Sequence, residues 1–456
     1  MGAPPGAGLS AETIASIEAG VLADLDGDRP DDAQQGIDRL LRAQPRDREA
    51  ALALVRVVAS GKVAIERGLT VFEAVFASHR ADAEVLSRLG DATDHVRDID
   101  DLNLAAPASS LFPELVERLE ACVHSASGTA EEIPLLSALA ATTRMMARQR
   151  DALAGWCYRR LTELAPTQSH HHYNLGLYCK TRGLFAEGLR ANQAAGALEA
   201  EPLEGRVWNE GICATGAGEG AIALAIWQGM RQVIQAGRFG LPEGRYPSCK
   251  VRLAQRPLAE RTAAEDDPGL EETIWIERLS PCHGIIRSVL YQQLGVDYGD
   301  VVMIDGAPIT YHRYGEDRIP VFPHLATLLR QGYQLYDFAG TQQAQGELAE
   351  VSGALDDDAV VYVHTEQFVT LCQRCWRSEQ TDHEQHSLRE AHVVVGRVAA
   401  PPQLDPVELL RQLDQAVADR PSCKLYVPEL CEVAGLPERA DFERRRSGMI
   451  RSARGV

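Results

Sequence analysis

Two short stretches recur at a fixed distance, and that distance constrains the first half of the chain more than any other feature. Ser169-His-His-His-Tyr-Asn-Leu-Gly176 opens a helical run to Gly183, and a second run leads from Leu184-Phe185 to Pro202. The pattern restarts at Trp208-Asn209-Glu210-Gly211 and continues through Gly218 to Ala236. Asn174 and Asn209 lie 35 residues apart, as do Gly176 and Gly211. A period of this length with two helices per unit marks a helical-hairpin repeat. One hairpin cannot cover its own apolar face, so the units must stack and bury one another. Leu135–Met146 and Ala154–Ala165, closed by Pro166 as Pro202 closes the next unit, form another repeat. Ala50–Val58 and Ala64–Phe76, broken at Gly61, form an earlier one, and Pro30 opens a helix before it. The array is expected over residues 10–236 with five or so hairpins and an irregular acidic insert at about 91–110. Residues 1–9, rich in Gly, Pro and Ala, are expected to be disordered. Cys122, Cys157, Cys179 and Cys213 fall inside these helices and read as small core residues.

Asn174, Leu175, Gly176, Gly183, Phe185 and Pro202, followed by Trp208, Asn209, Gly211 and Gly218, resemble the tetratricopeptide repeat family. The resemblance implies a curved α-solenoid whose first helices line the concave side, with Asn174 and Asn209 at a position that faces the groove. An asparagine amide offers an acceptor and two donors, which matches the N–H and C=O of an extended peptide. His170, Tyr173, Lys180 and Trp208 would be its neighbours, with Leu177 and Ile212. The other reading of the two asparagines is that they cap or brace helices. The resemblance implies a peptide- or protein-binding adaptor or scaffold.

After Phe239 the period changes, and Gly240–Gly244 reads as a hinge. Residues 240–456 alternate short apolar runs with helical ones, which predicts an α/β domain with a mixed sheet. Strands are expected at Lys250–Leu253, Thr273–Leu279, Val301–Ile304, Tyr333–Phe338, Val360–Val363, Val393–Val398 and Lys424–Val427. Asp305-Gly306 reads as a hairpin turn returning through Ile309–Tyr311. Leu325–Leu329, Glu366–Arg377 and Pro406–Val417 read as helices. Pro-Ser-Cys-Lys occurs at both 247–250 and 421–424, by chance or as paired edge strands. The basic tail around Arg444-Arg-Arg446 reads as a solvated helix end.

The densest chemistry is Cys372-Gln-Arg-Cys375 followed by His383-Glu-Gln-His386. Two thiols and two imidazoles suit a tetrahedral zinc site, structural rather than catalytic. The other reading is that Cys372 and Cys375 are buried thiols. His364-Thr-Glu366 before Cys372 is similar to the zinc nucleoside deaminases. Only five residues intervene and no proline precedes Cys372, so that chemistry is rejected. Ser280-Pro-Cys282-His283-Gly284 resembles the first half of a caspase-like peptidase site. The next core strand runs into Ala339-Gly340-Thr341, without the cysteine which that family needs. Cys282 is itself a candidate nucleophile. A peptide-modifying or peptide-cleaving enzyme using Cys282, His283, His364 and Glu366 is therefore the alternative to the adaptor. No Gly-rich phosphate loop or Gly-x-Ser-x-Gly elbow is present.

A net charge of −19 argues against a nucleic-acid partner and against an anionic membrane surface. No apolar run approaches the roughly 20 residues of a membrane span. The first eight residues lack a basic segment and an apolar core, so a cytoplasmic protein with free thiols is expected.

Overall fold

The computed structural model describes residues 9–96, 110–342, 344, 346–355, 358–364 and 393–454. It divides into two compact units, residues 1–217 with 261–267, and residues 218–260 with 268–456.

The first unit is helical: α1 (Ala11–Asp26), α2 (Pro30–Ala43), α3 (Arg48–Ala59), α4 (Ile65–Ser78), α5 (Ala83–Asp91), α6 (Leu111–Ala126), α7 (Glu132–Arg144), α8 (Asp151–Leu164), α9 (Ser169–Thr181), α10 (Phe185–Ala197) and α11 (Glu204–Gly216). Short side chains start several of them. Ser10, Asp47 and Asp82 each accept a hydrogen bond from the first free backbone N–H groups of α1, α3 and α5. Consecutive helices pack as hairpins, α1 on α2, α3 on α4, α7 on α8 and α9 on α10. First helices also pack on first helices, α1 on α3, α3 on α5, α5 on α7 and α9 on α11. This two-layer succession is a tetratricopeptide-like α-solenoid. A continuous core runs through it from Ile14 to Ala191, and α3 contributes eight buried residues, Ala50–Val55 with Val57 and Val58. Cys157 and Cys179 are fully buried in it, Cys213 is fully buried in α11, and Cys122 is half-buried.

Two glycines explain why the repeat has its shape. Gly183 turns the chain between α9 and α10 at φ +69°, and Gly218 occupies the matching place after α11 at φ +75°. That left-handed region is open to glycine without strain. Residues 261–267 belong to this unit as well: Asp266 Oδ2 accepts from the Arg148 backbone N–H at 2.9 Å.

The second unit opens with helix α12 (Gly220–Gly229) and a small hairpin, β1 (Ile234–Ala236) with β2 (Pro242–Gly244). Six strands follow: β3 (Cys249–Ala254), β4 (Glu271–Arg278), β5 (His283–Ile286), β6 (Val301–Ile304), β7 (Thr310–Tyr314) and β8 (Asp317–Leu329). β3, β4, β5, β6 and β8 pair antiparallel in turn, and β8 returns to β3 in parallel, Lys250 opposite Val321 and Arg252 opposite Pro323. The sheet is therefore mixed and closes into a five-stranded ring. Val251, Leu253, Ile274, Ile276, Ile286, Val302, Ile304 and Phe322 fill its inside. β7 lies outside the ring and, among the described residues, pairs with β8 alone.

A second sheet, wholly antiparallel, has the order β10 (Val360–Val363), β11 (Val393–Ala400), β9 (Gln334–Thr341), β12 (Lys424–Tyr426). Helices α13 (Pro406–Ala418), α14 (Pro428–Val433) and α15 (Pro437–Arg454) complete the unit. Phe338, Val394, Val398, Leu409, Leu413 and Leu430 form this second core. No helix among the described residues is long and apolar enough to cross a membrane.

Two expectations need correction, and one of two open readings falls away. Leu325–Leu329 is not helical but the end of β8, because pairing with β6 overrides the helix preference of its leucines and alanine. Asp305-Gly306 does not fold β6 back onto Ile309–Tyr311. β6 lies between β5 and β8, and the tight turn comes one strand later, at Gly315-Glu316 between β7 and β8. The two Pro-Ser-Cys-Lys stretches lead into β3 and β12, strands of different sheets, so they are not paired edges. The helix expected at Glu366–Arg377 lies outside the described residues.

Candidate functional site

The groove residues of the sequence reading sit on two adjacent first helices. α9 carries His170, Tyr173, Asn174 and Lys180, and α11 carries Trp208 and Asn209. His170 is exposed, Tyr173, Asn174 and Trp208 are half-buried, and Lys180 and Asn209 are buried. Tyr173 and Trp208 are themselves 35 residues apart, so the repeat places an aromatic ring before each asparagine. The two asparagines are not equivalent. Asn209 is 5% exposed, and its Nδ2 donates to the Tyr173 hydroxyl at 3.5 Å, a brace from α11 to α9. The three histidines separate as helix geometry requires. His171 is buried and pushed down to about 4, first by desolvation and then by its two neighbours. His172 Nε2 meets the Pro166 carbonyl at 2.9 Å.

Beneath this surface the hairpins lock through polar groups. Arg206, nearly buried, pairs with Glu199 at 2.9 Å and with Glu210, and donates to the Asn192 carbonyl at 3.2 Å. Asn192 is fully buried and donates to the Gly188 carbonyl at 2.8 Å.

In the second unit, Ser280, Cys282 and His283 are all fully buried at the start of β5. Ser280 Oγ lies 2.5 Å from His283 Nδ1 and accepts from the backbone N–H groups of Cys282 and His283 at 3.1 Å. Burial alone pushes the His283 imidazole down to about 4. These contacts describe a tight turn with its side chains folded inward, and neither Cys282 nor His283 meets solvent. His364 Nε2 lies 2.9 Å from the Val289 carbonyl, and its ring stacks on Tyr291 at 4.3 Å. Glu366, Cys372, Cys375, His383 and His386 lie outside the described residues. Among the described residues no group of three or more His, Cys, Asp or Glu could hold a metal ion.

A polar cleft of roughly 510 Å³ went unnoticed in the sequence. It lies between the 293–300 loop and the second sheet, with Tyr298, Tyr333, Asp337 and Arg397 in its wall. Arg397 Nε pairs with Asp337 at 2.8 Å, and its Nη1 donates to the Leu290 carbonyl at 2.9 Å and stands 3.8 Å from Asp297. Asp297 accepts from the backbone N–H groups of Leu290 and Tyr298 at 3.0 and 2.8 Å, while burial pushes its carboxyl up to about 6. The arrangement ties the loop to β11. The signal for it was one arginine inside the apolar run Val393–Ala400, since a charge there needs a partner.

No protein family and no curated protein matches the chain. Solved structures share partial likeness. PilW, a widely conserved type IV pilus biogenesis factor, is 12% identical, covering 48% of this chain and 92% of its own, with a TM-score of 0.36. PilF of Pseudomonas aeruginosa is 13% identical, covering 48% and 91%, with a TM-score of 0.32. MamA of AMB-1 is 16% identical, covering 40% and 87%, with a TM-score of 0.28. Likenesses this distant assign no function.

Proposed function

We propose that this chain is an interaction protein whose helical array holds an extended peptide along α9 and α11. The observation that carries the reading is the direct packing of these two first helices. It sets Tyr173 and Trp208 at the same place in consecutive units, both part-exposed, with Asn174 half-buried beside them and His170 exposed. The aromatic rings supply apolar contact area with little rotamer entropy to lose, and Asn174 supplies the amide that can pair with a peptide main chain. Asn209 acts differently from the first expectation: its amide fixes Tyr173, so its contribution is to orient the aromatic ring.

The test is panning of a random linear-peptide library on the full chain, followed by titration of the selected peptides. Asn174→Ala and Trp208→Ala should each weaken a selected peptide by about tenfold, roughly the 1–2 kcal/mol typical of an anchor residue. Failure to select any peptide, or affinities unchanged in both variants, overturns the proposal.

Zinc at Cys372, Cys375, His383 and His386 stays part of this proposal as a structural site, and so does a cytoplasmic location. The peptide-modifying alternative needs Cys282 and His283 to reach a substrate. Their inward packing gives it no support.

A further inference from the structure

The outer face of the ring of strands holds a buried lysine that no carboxylate pairs with among the described residues. Lys250 and Arg252 alternate along β3 with Val251 and Leu253, which fill the inside, so both point outward. Lys250 is only 6% exposed. Its Nζ donates to the Tyr314 hydroxyl, lies 3.2 Å from His312 Nδ1, and sits 4.5 Å from the Tyr314 ring and 5.5 Å from the Trp275 ring. All of these partners are neutral. His312 is held neutral because burial, aided by the Lys250 and Arg252 cations, pushes it down to about 4. Among the described residues no carboxylate pairs with Lys250. A buried charge without a partner is costly, and folded proteins ordinarily supply one.

The imidazole has an unmet need of its own. An ammonium has only donors, so His312 Nδ1 must accept from Lys250 and Nε2 must carry the ring proton. His312 is 7% exposed, and Nε2 has no hydrogen-bond partner among the described residues. Thr273 Oγ1, on the residue opposite Arg252 in the β3–β4 register, is likewise buried and unpartnered. The two ring nitrogens point away from each other, so the Nε2 N–H calls for an acceptor of its own, while the Lys250 cation calls for an anionic oxygen group. Trp275 and Tyr314, 43% and 52% exposed, flank the ammonium and leave ring surface open to solvent.

We propose that this face binds a small ligand bearing a phosphate or carboxylate group on a planar ring. The anion pairs with Lys250, and the ring lies on Trp275 or Tyr314. Tyr314, at the end of the β7–β8 hairpin, is the side chain that must swing aside to admit the anion. The site lies in the second unit and does not depend on the peptide reading of the helices.

The test uses the full chain, with thermal melting and calorimetric titration against AMP, benzoate, inorganic phosphate and adenosine. Binding of AMP at millimolar concentration or tighter assigns a phosphate group, and binding of benzoate a carboxylate. Either should raise the melting temperature, since a ligand bound only by the folded chain stabilises it. Adenosine, which has the ring without the anion, should not bind. Lys250→Met should weaken the bound probe by at least about tenfold, as expected for a charge-assisted contact. Trp275→Ala, at an exposed position that leaves the fold intact, should weaken the ring-bearing probe and spare inorganic phosphate. The proposal fails if neither AMP nor benzoate binds, if adenosine binds as well as AMP, or if a folded Lys250→Met or Trp275→Ala variant binds as the parent does.

Discussion

Replacing Gly176 by alanine should destabilise the helical unit, although alanine is the better helix former. A Cβ at this position would fall on the Asn192 side chain of α10, 2.8 Å from Cγ and 2.9 Å from Oδ1, and closer still to Nδ2. Asn192 has nowhere to go, being fully buried with Nδ2 bonded to the Gly188 carbonyl at 2.8 Å. Overpacking a filled core costs about 1–3 kcal/mol. Displacing the amide also breaks a buried hydrogen bond, worth about 1 kcal/mol net. Against this, alanine gains roughly 0.8–1.0 kcal/mol over glycine in a helix interior. The sum is a loss of about 2 kcal/mol, or a melting temperature lower by about 4–8 °C in a unit of this size. Calorimetric melting of parent and variant measures it. The double variant Gly176→Ala/Asn192→Ala makes room for the new methyl, and should show a favourable coupling of about 1 kcal/mol or more relative to the single changes. A Gly176→Ala protein that melts at or above the parent temperature refutes the argument that the repeat keeps glycine here for close approach of α10.

Three further outcomes follow from the same contacts. Arg206→Met leaves Glu199 and Glu210 close together and nearly buried without their cation, so urea unfolding should show a loss of about 3 kcal/mol; a loss under about 1 kcal/mol would mean that solvent reaches the carboxylates. His283 stays neutral in the folded chain down to about 4, whereas its unfolded value is 6.5. Its stabilising contribution is therefore present above 6.5 and is lost as pH falls toward 4, by up to about 1.4 kcal/mol per pH unit. The stability gap between the parent and His283→Gln should narrow between pH 7.5 and pH 5, and a constant gap would show that the ring is already hydrated. For the four-ligand cluster Cys372, Cys375, His383 and His386, metal analysis of the purified chain should find about one zinc, and less than about half an equivalent removes the zinc site.

The helical unit was legible because its constraints are local and recur. Gly183 and Gly218 take left-handed turns, Gly176 admits a neighbouring side chain, and these needs repeat at the period that the sequence displays. The second unit was legible as strands but not as pairings. The run Leu325-Ala-Thr-Leu-Leu329 is built largely from good helix formers, and its pairing with β6, earlier in the chain, makes it extended. Asp305-Gly306 has the composition of a hairpin turn, yet both flanks of β6 are already occupied. The cleft and the charged face were hidden for the same reason. Arg397 meets Asp297 and Asp337, and Lys250 meets His312 and Tyr314, across 60 to 100 intervening residues. Charges inside Cys249–Ala254 and Val393–Ala400 showed that partners must exist, not which ones. In the groove, the 35-residue spacing of the two asparagines could not show that Asn209 spends its amide on Tyr173.

The seam between β3 and β8 also sets an order of events during synthesis. It joins residues 250–252 to residues 321–323, so the ring stays open until the later strand has left the ribosome. Until then β3 has an unsatisfied edge, the kind of surface on which nascent chains pair wrongly. Lys250 and Arg252 lie on that edge, and two adjacent cations discourage a stray strand from docking there before the correct one arrives.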